Sequence, residues 1–149
     1  MNRCASVVLG LVLVTATLLA GPAFDVEAHV GRWVAMWNSF DLDEVDELFV
    51  ADSRVSYLSS EREGLIRGID EVREHHRGFG FVPGGREPEK ELWVEQVRSA
   101  DFGETTVVTA VWYFGDREER DEAQRGPMTI VYVMENGEYR IAHMHFAGY

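Results

Sequence analysis

The chain has 149 residues, a formal net charge of −12, a sequence in which 46% of residues are hydrophobic, and one cysteine. Such acidity excludes nucleic acid or an anionic membrane surface as a partner, because both are bound through basic patches. The single cysteine, Cys4, precludes a disulfide within the chain, and no motif calls for a cofactor or a metal.

At the N-terminus Arg3 precedes an uncharged apolar run from Ala5 to Ala20, which ends in Ala20-Gly21-Pro22-Ala23. This is the layout of a secretory signal peptide, with cleavage expected after Ala23 and a secreted, periplasmic or otherwise extracytoplasmic location for residues 24–149. An uncleaved anchor is the alternative, although the run falls short of the ~20 apolar residues that span a bilayer. Cys4 precedes the run, so it cannot be the lipid-bearing cysteine of a lipoprotein. The remaining 126 residues, with a net charge of −13 once Arg3 is lost, are the size of one self-sufficient domain.

From Val26, apolar residues recur at three and four (Val26, Val30, Trp33, Val34, Trp37), which predicts an amphipathic helix ending near Phe40. Asp41 with Glu44 three residues on reads as a capping box opening a short helix through Val45, Leu48 and Phe49. Val55 and Tyr57 alternate as a first strand. Gly68 begins a third helix with Ile69, Val72, His76 and Phe79 on its apolar face and His75 toward solvent, and Gly78, Gly80, Pro83, Gly84 and Gly85 end it.

Four strands in meander order follow, at Leu92 to Arg98, Thr105 to Phe114, Met128 to Met134 and Tyr139 to Phe146; the alternating charges Asp116 to Asp121 read as a solvated hairpin tip. Asn136-Gly137 marks a two-residue hairpin turn, because both residues tolerate positive φ. Continued along both strands, that register pairs Val131 with Ala142 and Ile130 with His143. One face then carries Thr129, Val131, Val133, Ala142, Met144 and Phe146. The other carries Met128, Ile130, Tyr132, Met134, Tyr139, Ile141, His143 and His145. Two apolar faces need two covers, the helices on one side and a second copy of the chain on the other, so a homodimer is expected. Helices first and strands afterwards make the class α+β.

The run Val30-Gly31-Arg32-Trp33-Val34-Ala35-Met36-Trp37-Asn38, with Asp41-Leu42-Asp43 and Leu48-Phe49, resembles the opening of nuclear transport factor 2-like proteins, which include ketosteroid isomerases and SnoaL-like cyclases. Gly68-Ile69-Asp70-Glu71-Val72 and the closing strand Tyr139 to Phe146 are similar to the same superfamily. The resemblance implies a curved, mixed but mainly antiparallel sheet wrapped around the N-terminal helices into a cone, the cystatin-like fold, with a pocket at one end. It also places Trp33 where ketosteroid isomerases carry a tyrosine, Tyr57 where they carry a base, and Val131 at or next to their oxyanion-binding acid. A phenol and a hydrocarbon cannot take over from two carboxyl groups, so steroid isomerase chemistry is not expected.

The expected pocket set is Trp33, Trp37, Tyr57, His76, Val131 and Met144, an apolar and aromatic lining with few polar tips that suits a small apolar ligand. Trp33, Trp37 and Tyr57 could equally be core residues. His143 and His145 share a strand face at a spacing known from metal sites, yet lack a clear third ligand, and interface packing is the preferred reading. Three functions remain open: a ligand-binding protein, a small-molecule isomerase, dehydratase or cyclase using His76 or Tyr57, and a dimerisation domain with a vestigial pocket.

Overall fold

The computed structural model describes residues 23–149, so the predicted signal segment lies almost wholly outside the described residues. Helix α1 (Val26–Ser39) starts where the Asp25 carboxylate accepts the Ala28 N–H at 3.0 Å, and it ends at Phe40, whose left-handed backbone (φ 52°) lets its N–H reach Met36 O. Its buried stripe is Val30, Trp33, Met36 and Trp37. Helix α2 (Leu42–Leu48) is capped by Asp41 as expected, but through Asp43 N, and Glu44 does not reach back to close the box. The Ser39 hydroxyl instead occupies that place, accepting from Asp41 N and facing Glu44. At the other end of α2 the Arg140 guanidinium donates to the carbonyls of Asp46 and Glu47, which a helix C-terminus leaves free.

After β1 (Ser56–Ser59) comes a strand the sequence reading missed, β2 (Arg62–Arg67). All of its residues but Ile66 are exposed, so it carries no alternating apolar signal. Helix α3 (Gly68–Gly78) follows, and then β3 (Glu91–Asp101), β4 (Thr105–Gly115), β5 (Gln124–Glu135) and β6 (Glu138–Phe146). The six strands form one mixed sheet in the order β2-β1-β6-β5-β4-β3, in which β1 runs parallel to β6 and the other pairs are antiparallel. The three helices pack on one face of it and enclose the core. Asn38 ties α1 to the edge strand β3, its side-chain amide exchanging two hydrogen bonds with the Leu92 backbone (2.7 and 2.9 Å).

The Asn136-Gly137 turn forms with both residues at positive φ, and Glu135 pairs with Glu138 and Met134 with Tyr139 as expected. Farther along, the expected register fails. Tyr132 pairs with Ile141, but Val131 pairs with His143 and Ile130 with Met144, so Ala142 is an extra residue in a bulge. One inserted residue flips the phase of every later side chain on β6. Met128, Ile130, Tyr132, Ile141, Met144 and Phe146 therefore all point into the helix-covered core, whereas Thr129 and Val131 share the outer face with His143 and His145.

The Asp116 to Asp121 stretch is exposed throughout, as expected of a solvated hairpin tip, and two of its arginines lie back over the sheet. Trp93 and Tyr113 stack on the outer face of β3 and β4 (5.2 Å, 9°), with the Arg117 guanidinium over Trp93 and that of Arg120 over Tyr113. Arg120 also grips Glu95 with two hydrogen bonds, so the connection is folded back onto the sheet.

Candidate functional site

A cavity of about 530 Å³ opens between the helices and the inner face of the sheet. Its buried lining is built from Trp37 and Phe40 on α1, Tyr57 on β1, Leu92 on β3, Trp112 on β4 and Phe146 on β6. Phe146 lies nearly parallel to Trp112 (4.1 Å, 18°) and to Trp37 (6.0 Å, 4°), so two strands and a helix contribute to one aromatic wall. Beside that wall lies Gly126, which has no side chain. The chain end crosses over it, with Ala147 O only 1.8 Å from where a Cβ would stand, and there accepts the Trp112 Nε1–H at 2.8 Å. The charged lining residues Glu61, Arg86, Glu89 and Lys90 are all exposed, which puts charge toward solvent and hydrocarbon inside.

Of the six residues expected in the pocket, Trp37 and Tyr57 line this cavity. Trp33 is fully buried and packs on Trp37 and Phe146, so it supports the wall from behind. Met144 is likewise buried, as the β6 partner of Tyr57. His76 is buried with its ring against Trp37 (5.6 Å) and edge-on to Tyr57 (5.7 Å). Tyr57 reaches the cavity and His76 does not, so the two do not converge on it. Val131 is a correction: the Ala142 bulge leaves it opposite His143 on the outer face, and the inward residue beside it on β5, Ile130, is also a hydrocarbon.

His75 is a second correction, half-buried against Phe79 and Tyr57 where solvent exposure was expected. Phe40, Phe79, Arg86, Lys90, Leu92, Trp112, Phe114 and Phe146 belong to the lining without having been singled out. The parity of Ala110, Trp112 and Phe114 on β4 was the signal that could have found two of them.

Burial decides the protonation states here. It pushes the Tyr57 phenol well above its usual range, so the hydroxyl is a donor and never a phenolate near neutral pH. It pulls His76 down to about 4. The His76 Nδ1 lies 2.8 Å from Val72 O, and since a carbonyl only accepts, Nδ1 carries the proton and Nε2 is an acceptor. That Nε2 is buried without a hydrogen-bond partner, as are the indole N–H groups of Trp33 and Trp37. The buried polar side chains among the described residues are His76 and Thr106, so none of the buried side chains is a carboxyl. His143 on the outer face exchanges a 2.8 Å hydrogen bond with Ser56, and no group of three potential metal ligands occurs among the described residues.

No curated protein sequence matches this chain. Solved structures match its fold. A nuclear transport factor 2-like superfamily protein from Salmonella enterica serovar Typhimurium is 20% identical, with a TM-score of 0.67 over 83% of this chain and 87% of its own. A protein with a cystatin-like fold from Caulobacter vibrioides is 15% identical, with a TM-score of 0.65 over 83% and 87%. One of unknown function from Pseudomonas putida is 13% identical, with a TM-score of 0.67 over 80% and 81%. The SnoaL-like domain family matches residues 26–147, from the first residue of α1 to the tail that closes over Gly126, and this chain belongs to that family.

Proposed function

We propose that this chain is an exported SnoaL-like protein that binds a small apolar molecule and lacks the aspartate chemistry of ketosteroid isomerases. The observation that carries the reading is the division of the lining, with aromatic and aliphatic residues buried and every charged residue exposed. A cavity of about 530 Å³ is in the range of small-ligand sites and speaks against a filled, vestigial pocket. Export rests on the composition of the first 23 residues, and N-terminal sequencing of the mature protein should begin at Phe24.

Proton abstraction beside a carbonyl needs a base and an oxyanion donor together. A neutral phenol at Tyr57 and a hydrocarbon at Ile130 supply at most one donor. The test offers a Δ5-3-ketosteroid and follows conjugation of its double bond in the ultraviolet; no turnover above buffer is expected, and turnover that disappears in Tyr57→Phe would refute the reading.

The enzymatic alternative draws support from one observation, the fixed tautomer and unpartnered Nε2 of His76. It would require a rearrangement around His76, which packs against Trp37 and Tyr57 and does not itself line the cavity. A homodimer is part of the proposal. Its support is the outer face, where Val107, Val131, Thr129 and Leu58 neighbour the two histidines in the strand register.

A further inference from the structure

The only lysine of the chain, Lys90, lines the cavity, and so does Arg86 four residues before it. Arg86 is held in place. Its backbone N–H donates to Ser39 O at 2.8 Å, its Nε–H donates to Gly80 O at 2.9 Å, and its guanidinium lies over the Phe40 ring at 4.1 Å. Glycine suits position 80: its φ is +89°, and a Cβ there would stand 3.1 Å from the Arg86 Nη2 and push the guanidinium aside slightly. The contacts use Nε and one face of the plane, and they leave terminal N–H groups of the fork free. Glu61 and Glu89 line the same cavity, yet among the described residues neither forms an ion pair with Arg86 or Lys90.

We infer that the ligand of this cavity is an apolar organic acid, its ring system in the aromatic chamber and its carboxylate on the braced guanidinium of Arg86, with Lys90 as the second cation. The inference rests on the ligand-binding reading above and adds the chemistry of the head group. Three physical points favour an anion over a cation. A planar fork fixed in advance loses little side-chain freedom when a carboxylate takes two of its N–H groups. Glu61 and Glu89 are less firmly held: the Glu61 carboxylate accepts a long 3.4 Å hydrogen bond from the Ser60 hydroxyl, and Glu89 lies on the exposed approach to β3. The overall negative charge of the chain is screened within about 8 Å at physiological salt, so the groups at contact range, the braced Arg86 first among them, decide the sign of the head group.

The experiment uses three fluorescent probes that share a ring system and chain length: pyrenebutyrate, pyrenebutanol and pyrenebutylamine. They are titrated into the full mature protein and into its Arg86→Gln, Lys90→Gln and Trp37→Ala variants. The acid should bind about tenfold more tightly than the alcohol, and the amine most weakly. Arg86→Gln should erase the advantage of the acid over the alcohol, and Lys90→Gln should reduce that ratio. Because Arg86 also anchors its loop, the exposed Lys90 variant keeps the test valid if Arg86→Gln folds poorly. Equal affinity for acid and alcohol, or tightest binding of the amine, would overturn the acid inference and leave ligand binding standing. Failure of all three probes to bind, with Trp37→Ala indistinguishable from the parent, would overturn both.

Discussion

Lowering the pH should destabilise this protein through His76. The ring is fully buried, and burial is the largest cause of a pKa depressed from 6.5 to about 4. In the unfolded chain the same imidazole takes up a proton below about pH 6.5, whereas the folded protein refuses it until about pH 4. The unfolded state therefore binds more protons throughout that window, and stability falls as the pH falls through it, levelling off near the folded value. A shift of this size is worth about 3 kcal/mol, and between pH 7.5 and 4.5 the loss from His76 alone should be about 2 to 3 kcal/mol. That is a large fraction of the 5–15 kcal/mol that typically holds a domain together. His75 and His143 are also depressed by burial and add to the slope, so the test must isolate His76 by difference. Urea unfolding of the parent and of His76→Leu, at several pH values from 7.5 to 4.5, supplies that difference. Leucine removes the unpartnered Nε2 and leaves the aromatic surroundings filled, so the two proteins should have similar stability at pH 7.5 and diverge as the pH drops. Parallel pH profiles would refute the reasoning, because they would mean that His76 is protonated in the folded protein or open to water.

Gly126→Ala should cost about 1–3 kcal/mol, since the new methyl group collides with the carbonyl of Ala147 and the chain end must move; urea unfolding measures it, and retained stability would refute the close approach. Trp33→Ala should lower stability by about 3–5 kcal/mol, read as a fall in the urea midpoint, because it hollows the wall from behind. Trp37→Ala should weaken binding of an apolar probe more than its own loss of stability explains. Val131→Asp should yield a folded monomer by light scattering, whereas a charge at the inward Ile141 should prevent folding; a monomeric parent at micromolar concentration would defeat the homodimer proposal.

Much of the fold was legible in one dimension because it depends on local chemistry. The helical stripe of Val30, Trp33 and Trp37, the cap at Asp41, the glycine that opens α3 and the positive-φ pair Asn136-Gly137 each act within a few residues, and each forms where its residues stand. The family resemblance followed from the same segments. What pattern alone could not supply was anything set by partners distant in the chain. Strand β2 has almost no buried face of its own and exists because β1 offers it an edge. The bulge at Ala142 satisfies two demands at once, a turn-defined register near Glu138 and the need to turn Met144 and Phe146 toward the helices, and an alternating pattern read outward from the turn cannot see the second. The cavity depended most on tertiary structure. Trp37, Tyr57, Trp112 and Phe146 come from four elements as far apart as residues 37 and 146, and Arg86 gains its orientation only when Gly80, Phe40 and Ser39 meet around it. Sequence determined the apolar stripes that would be buried, because burial follows side-chain chemistry; tertiary structure decided which of those residues share a surface and where His75 and Val131 lie, because that follows from register and crossing of elements separated by tens of residues.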